Sequence, residues 1–339
     1  MIGKRFLVAF LGVRERTGGY LPMKLSKAVE GFIFARLADG YSPNTMDVYK
    51  WALVRLERYL ENPEVVAIKL DDLRRFMLFM RAEYKPSRMN GDESPLSGSS
   101  MENIWKAIRS FFRWASEEIE IERPDLNLVK PEYSAPEIIP YTEKEVKLLL
   151  KVCGFTSSST GYRKSFSMRR PTCKRDRAIV LVLLDTGIRA SEIARLELDN
   201  INFQTGAINI TPFGTGRKTK GRTVYLGKVA RGALWLYTAE REGDENTLFL
   251  TIKSRPMNRN SIRQMVNNLG ERAGIKKAYP HRFRHTFAIQ FLRNGGDIFS
   301  LQRLLGHASL EMVQKYLKLA QVDTQNAHRR ASPVDRWGL

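Results

Sequence analysis

Apolar positions recur at three- and four-residue steps through most of the chain, which predicts a mainly helical protein. Two helices are predicted between Lys24 and Leu60. Ser42 followed by Pro43 supplies an N-cap and a proline at the first helical position. Met46, Tyr49, Leu53, Leu56 and Leu60 then form one apolar face, with Lys50, Arg55 and Arg58 opposite. A third helix is expected over Leu70 to Tyr84. After a polar loop from Pro86 to Ser100, Ser99 and Glu102 make a capping-box pattern before a fourth helix. Ile104, Ile108, Phe111, Phe112 and Ala115 form its buried side, and Trp105 and Trp114 are read as packing residues.

Glu122 to Pro140 holds Pro124, Pro131, Pro136 and Pro140 with little periodicity, so a domain boundary is expected there. Beyond it, Thr142 and Glu145 cap a helix, and Gly154 to Lys174 reads as a serine-rich, then basic, loop carrying Arg163, Lys164, Arg169 and Arg170. Arg177 to Leu184 is a buried helix. Ala207 to Thr211 and Arg222 to Leu226 read as short strands around a glycine-rich basic turn. Helices follow over Ala230 to Tyr237 and Asn260 to Ala273, the second ended by Gly274. Further helices are expected over His285 to Leu292 and Ile298 to Leu305. Ser309 is expected to cap the last one, on which Met312, Val313 and Tyr316 share a face. The fold class is thus mainly α with a small β-sheet (α+β). The expected domains are a leader or flexible arm (1–22), a helical domain (23–121), a linker (122–140), a mixed domain (141–320) and a tail (321–339). Met23 is an alternative start.

Composition sharpens the picture. A formal charge of +20 over 339 residues points to a polyanion bound through its phosphates, most simply DNA, although charge alone does not separate DNA from RNA or anionic lipid. Cys153 and Cys173 form no paired motif, which suggests a reducing compartment without a disulfide framework or zinc site. No apolar run is long enough to span a membrane, and Phe6 to Val13 is too short and wrongly flanked for a signal peptide. Three of the four histidines lie between Pro280 and Tyr316, together with Arg284. No carboxylate stands at ligand spacing, so a phosphate suits this group better than a metal. Arginine grips phosphate oxygens as a planar fork, histidine donates a hydrogen bond or moves a proton, and tyrosine attacks when cations favour its phenolate.

The motifs name a family. His281-x-x-Arg284, then Leu304-Leu305-Gly306-His307, then Tyr316 nine residues later, resemble the tyrosine recombinase (phage integrase, Xer-like and lambda-integrase-like) family. Thr186-Gly187-Ile188-Arg189-Ala190-Ser191-Glu192-Ile193 resembles a further box of that family. The resemblance implies a site-specific DNA recombinase, integrase-like, that needs no cofactor and no metal. Its catalytic residues would be Arg189, Lys218, His281, Arg284, His307 and Tyr316, with Glu192 and His285 as supporting residues. The family's hairpin lysine falls in Gly214 to Arg222, where Thr215 stands at the usual lysine position. Lys218 is preferred and Lys220 is the alternative.

The expected reaction is attack by Tyr316 on a backbone phosphate to give a 3′-phosphotyrosine, which the free 5′-hydroxyl of a partner strand then resolves. Arg189 and Arg284 would hold the non-bridging oxygens and Lys218 would protonate the leaving oxygen. His281 would take or relay the phenol proton, and His307 would donate to the phosphate. The helical N-terminal domain resembles the family's core-binding domain, and the linker would let the two domains close on a duplex. Lys50, Arg55 and Arg58, and Arg263, Gln264 and Asn267 on a later helix, are candidate DNA contacts. Expected partners are double-stranded DNA with a specific target site and further protomers, four on two duplexes, with the tail around Trp337 docking onto a neighbour. The expected location is cytoplasmic and nucleoid-associated. A Xer-type dimer resolvase, a type IB topoisomerase-like enzyme and a non-catalytic DNA-binding protein are the alternatives.

Overall fold

The computed structural model describes residues 23–88, 91–134, 136–156, 168–212, 221–307 and 309–320, with 328, 332, 334 and 337 of the tail. The leader, Arg163, Lys164, Lys218 and Lys220 lie outside the described residues. The chain divides into two compact units that meet in sequence between Pro136 and Glu137.

In the first unit the apolar stripes read from the sequence fold against one another. Helices α1 (Leu25–Ala38), α2 (Pro43–Tyr59), α3 (Leu70–Ala82) and α4 (Gly98–Glu118) enclose Phe32, Leu53, Leu56, Phe76, Phe111 and Phe112, all fully buried. Ser42 caps α2 by accepting from the Thr45 amide at 3.2 Å. The cap of α4 is Ser97, not Ser99: the Ser97 hydroxyl accepts from the Ser100 amide. Glu102 is drawn away from a capping role by Lys106, Lys130 and the Tyr133 hydroxyl. Trp114 is buried, and the Trp105 indole donates to the Leu128 carbonyl at 2.9 Å.

That bond shows what becomes of the proline-rich stretch. Asp125 is fully buried and paired with Arg123 and Arg109. Arg109 also donates to the Asp125 and Leu126 carbonyls. The first half of the expected linker is therefore fastened to α4, because its backbone carbonyls and one carboxylate find cationic donors there.

The second unit is built on α6 (Cys173–Thr186), whose near-continuous apolar run is buried all round. Around it pack α5 (Glu143–Gly154), α8 (Lys228–Thr238) and α10 (Pro280–Arg293). The helix begins four residues before the expected Arg177, because the mostly polar turn Cys173 to Asp176 is already helical. A short α7 (Ala190–Ile193) follows. Strands β1 (Ile201–Asn202), β2 (Ala207–Ile210) and β3 (Arg222–Tyr225) then form an antiparallel sheet in chain order, with Ile208 opposite Val224. The ends of the 154–174 loop pair with each other: the Thr156 amide donates to the Met168 carbonyl at 2.8 Å, and Arg170 bonds back to the Gly154 carbonyl and pairs with Asp176.

Helix α9 (Arg259–Arg272) completes the main core, and α11 (Ile298–Leu305) and α12 (Glu311–Ala320) close the chain. Leu301, Leu305, Val313, Tyr316 and Ala320 pack on Ala288, Ile289 and Leu292 of α10 as an apolar cluster separate from the main core. Because α12 begins at Glu311, its cap position is Leu310 instead of Ser309, and the Val313 and Gln314 amides donate to the Leu310 carbonyl. Met312 does not join Val313 and Tyr316 in the interior; it is exposed, one step off the buried face. Among the described residues no helix is long and apolar enough to cross a membrane.

Candidate active site

Three chain reversals bring the chemistry together. Helix α6 ends at Gly187, left-handed at φ 62°, so that Ile188 turns inward and Arg189 becomes the N-cap of α7. Glu192, one turn on, accepts from the Arg189 amide at 2.8 Å and from Arg189 Nη1 at 2.9 Å. Helix α11 ends at a second left-handed glycine, Gly306 at φ 65°, which presents His307. Helix α10 carries His281 one turn before the adjacent Arg284 and His285, and α12 returns Tyr316 to them.

Arg284 is the centre. Its side chain is 1% exposed and has no carboxylate partner among its hydrogen bonds. Nη1 donates to the Gly187 carbonyl at 2.9 Å, and Nη2 donates to the Leu305 carbonyl at 2.8 Å. Both carbonyls stand at helix C-termini, where unsatisfied oxygens and the helix dipole favour a cation. Burial, with Arg189 close by, lowers the Arg284 pKa to about 9, so it stays charged at neutral pH. Nη2 also meets His307 Nε2 at 2.7 Å. A guanidinium only donates, so this nitrogen accepts. The expected donation from His307 to a phosphate is thus not set up through Nε2 in the free protein; that atom is engaged by Arg284.

The histidines are held neutral. Burial first, then Arg284, lowers the pKa of His307 to about 4. Burial, His281, Arg284 and Lys315 do the same to His285, also to about 4. The pKa of His281, an exposed residue, is lowered by desolvation and by Arg284 and Arg189. Tyr316 is 4% exposed. Burial raises its phenol above the ordinary value while Arg284 and Arg189 pull the other way. Its hydroxyl lies 2.9 Å from His285 Nδ1, and its ring lies parallel to that of His307 at 6.4 Å between centroids.

One residue of this cluster had no assigned role in the sequence. Arg222, the first residue of β3, donates Nη1 and Nη2 to the two Glu192 oxygens at 3.0 and 2.8 Å, and Nε to the Leu304 carbonyl at 2.6 Å. Burial alone would raise the Glu192 pKa; the Arg222 bonds, with Arg189, outweigh it and hold the carboxyl at about 2. Glu192 is thereby a fixed negative charge that orients both arginines. The signal for Arg222 was its place at the close of the basic turn, but its partners lie 30 and 82 positions away.

The model of the Phage integrase family matches residues 142–322, more than half of the chain and all of the site just described. The chain belongs to the phage integrase family. Among curated relatives, the tyrosine recombinase XerA of Pyrococcus furiosus is 30% identical over 91% of this chain and 96% of its own. The tyrosine recombinase XerC of Oceanobacillus iheyensis is 29% identical over 86% and 97%. Among solved structures, the Tn1549 transposon integrase in complex with transposon right end DNA aligns over 91% of this chain and 99% of its own. Its TM-score is 0.69 at 18% identity, a likeness of fold.

Within this phage integrase fold, the sequence-named residues outside the cluster divide. On α9, Arg263, Gln264 and Asn267 are exposed together, with Gln264 bonded to Asn268 and Asn267 to Glu271. On α2, Lys50 and Arg58 are exposed. Arg55 is not free in the same way. Its guanidinium lies over the Trp51 ring at 3.7 Å and donates to the Tyr84 hydroxyl and the Trp51 carbonyl. The catalytic-lysine assignment, Lys218 or Lys220, falls between β2 and β3, outside the described residues.

Proposed function

We propose that this chain is a site-specific DNA recombinase that cuts and rejoins strands through a 3′-phosphotyrosine at Tyr316. The observation that carries the reading is the buried, carboxylate-free Arg284 beside Arg189, His307 and Tyr316. Such a site suits an anion that gains charge on the way to a five-coordinate phosphorus. Arg189 and Arg284 bind the non-bridging oxygens. Tyr316 Oη bonds to phosphorus as the bond to the 5′ oxygen breaks, and Lys218 or Lys220 protonates that oxygen. The phenol proton leaves towards the histidines of α10. The exposed face of α9, with Lys50 and Arg58 of the helical unit, contacts the duplex. Four protomers on two duplexes, with the Trp337 tail docking between them, form the working assembly.

A Xer-type dimer resolvase is the second reading of the biological role, favoured by the Xer-named relatives that the chain matches along nearly their whole length. The test is covalent capture. The protein is mixed with a library of nicked duplexes with randomised sequence, denatured, and the attached DNA is sequenced, with Tyr316→Phe alongside. Adducts at one recurring sequence, lost in the variant, are expected. Adducts at scattered sequences would instead mark a topoisomerase-like enzyme, and adducts that persist in Tyr316→Phe would remove the nucleophile assignment.

A further inference from the structure

The α10 segment has two histidines one turn apart, and the sequence motif points to the first, His281, as the proton carrier. The geometry points elsewhere. The Tyr316 hydroxyl lies 2.9 Å from His285 Nδ1. His281 meets His285 ring edge to face, with centroids 4.5 Å apart. We propose that His285 is the group that holds the Tyr316 hydroxyl and takes its proton as the phenol oxygen attacks phosphorus. The proposal rests on Tyr316 being the nucleophile.

The arrangement suits a base. A neutral imidazole has one lone-pair nitrogen, and a phenol needs an acceptor in its plane of approach. His285 is neutral in the free protein, because burial and the surrounding cations oppose its protonation. The groups that face it are His281 and Arg284 on its own helix and Lys315 and Tyr316 on α12. A bound phosphodiester brings a negative charge to Arg284 and offsets one of the charges that lower the His285 pKa, so the basicity of His285 rises when substrate arrives. The step balances. The O–H bond of Tyr316 breaks, its proton goes to Nδ1, the new O–P bond forms, and the 5′ oxygen leaves with a proton from the hairpin lysine. Resolution returns each proton along the same path.

The test uses the full chain and the duplex selected by covalent capture, nicked so that cleavage is trapped. His285→Ala is expected to slow adduct formation on the order of a hundredfold or more. His285→Gln, which keeps a hydrogen-bonding side chain of similar reach, is expected to remain slow. Free imidazole is expected to restore His285→Ala in proportion to the concentration of its neutral form, which a packing role would not produce. A second measurement needs no DNA: the Nδ1 resonance of His285 in 15N-histidine spectra should shift when Tyr316→Phe removes the hydroxyl. Cleavage by His285→Ala at the wild-type rate, or slow cleavage that imidazole leaves unchanged, overturns the proposal while Tyr316 stands. An unchanged Nδ1 resonance in Tyr316→Phe also overturns it. Adducts that survive Tyr316→Phe overturn both readings together.

Discussion

Replacing Arg222 by alanine should reveal how the site is held. The side chain is 9% exposed and closes five polar contacts around itself and Glu192: two to the carboxylate, one to the Leu304 carbonyl, and the two that Glu192 makes to Arg189. Without it, a carboxylate at 6% exposure keeps only Arg189. Breaking a buried pair from one side costs about 3–5 kcal/mol. An independent figure comes from linkage. A carboxyl whose pKa falls from 4.5 to about 2 on folding contributes about 3 kcal/mol at neutral pH. The folded pKa is the lower one, so this stability is present above pH 4.5 and is lost as pH falls towards 2.

The difference between wild type and Arg222→Ala should therefore be largest near pH 7 and narrower by about 1 kcal/mol at pH 3.5. Because the chain has two units, a single unfolding curve would mix them. Hydrogen exchange of peptides covering α6, α7 and β3 during urea titration reads the second unit alone. A variant less than about 1 kcal/mol weaker at pH 7, or a difference of the same size at both pH values, would refute the assignment of Arg222 as the charge that Glu192 is folded against.

Three further outcomes are expected. Gly187→Ala places a Cβ 2.5 Å from the Phe287 ring and 3.0 Å from a Leu305 methyl at φ 62°, so it should cost roughly 2–5 kcal/mol by the same hydrogen-exchange measurement and loosen the Arg284 bond to the Gly187 carbonyl. His285 and His307 have folded pKa values near 4 against 6.5 unfolded. The unfolded chain takes up protons first, so stability is full above pH 6.5 and falls as pH drops towards 4. The loss is about 1 kcal/mol per histidine at pH 5 after allowance for partial exposure, and His307→Gln should flatten that part of the curve. Arg282, buried against Glu145 and over the Tyr141 ring at 4.1 Å, should lower the unfolding midpoint by several degrees when changed to alanine, with the same loss in the presence of DNA.

Much of this was legible in the sequence, for a definite reason. The boxes around Arg189 and His307 combine a reactive residue with the glycine that turns the chain beside it, and those around Arg284 and Tyr316 set their residues at fixed spacing on a helix. Gly187 and Gly306 mark their helix ends as plainly in sequence as in space. Contacts made across long stretches of chain were not legible. Nothing near Arg222 announces a carboxylate, and the aromatic bed under Arg55 is completed by Tyr84 from beyond the next helix. Caps failed by one or two residues because several hydroxyls compete, as at Ser97 and Ser99, and only the packed helix selects one.

The helix-end carbonyls around Arg284 have a consequence for charge balance. Because dipoles and not a carboxylate satisfy that guanidinium, its positive charge is never cancelled. Among the described residues Arg189, Arg222 and Arg284 stand against Glu192 alone, and the neighbouring histidines are neutral. Three cations against one carboxylate leave two positive charges in excess. A bound phosphodiester, with a single negative charge, is drawn in without neutralising the site, and the remaining excess favours whatever further negative charge gathers on its oxygens as the phosphorus becomes five-coordinate.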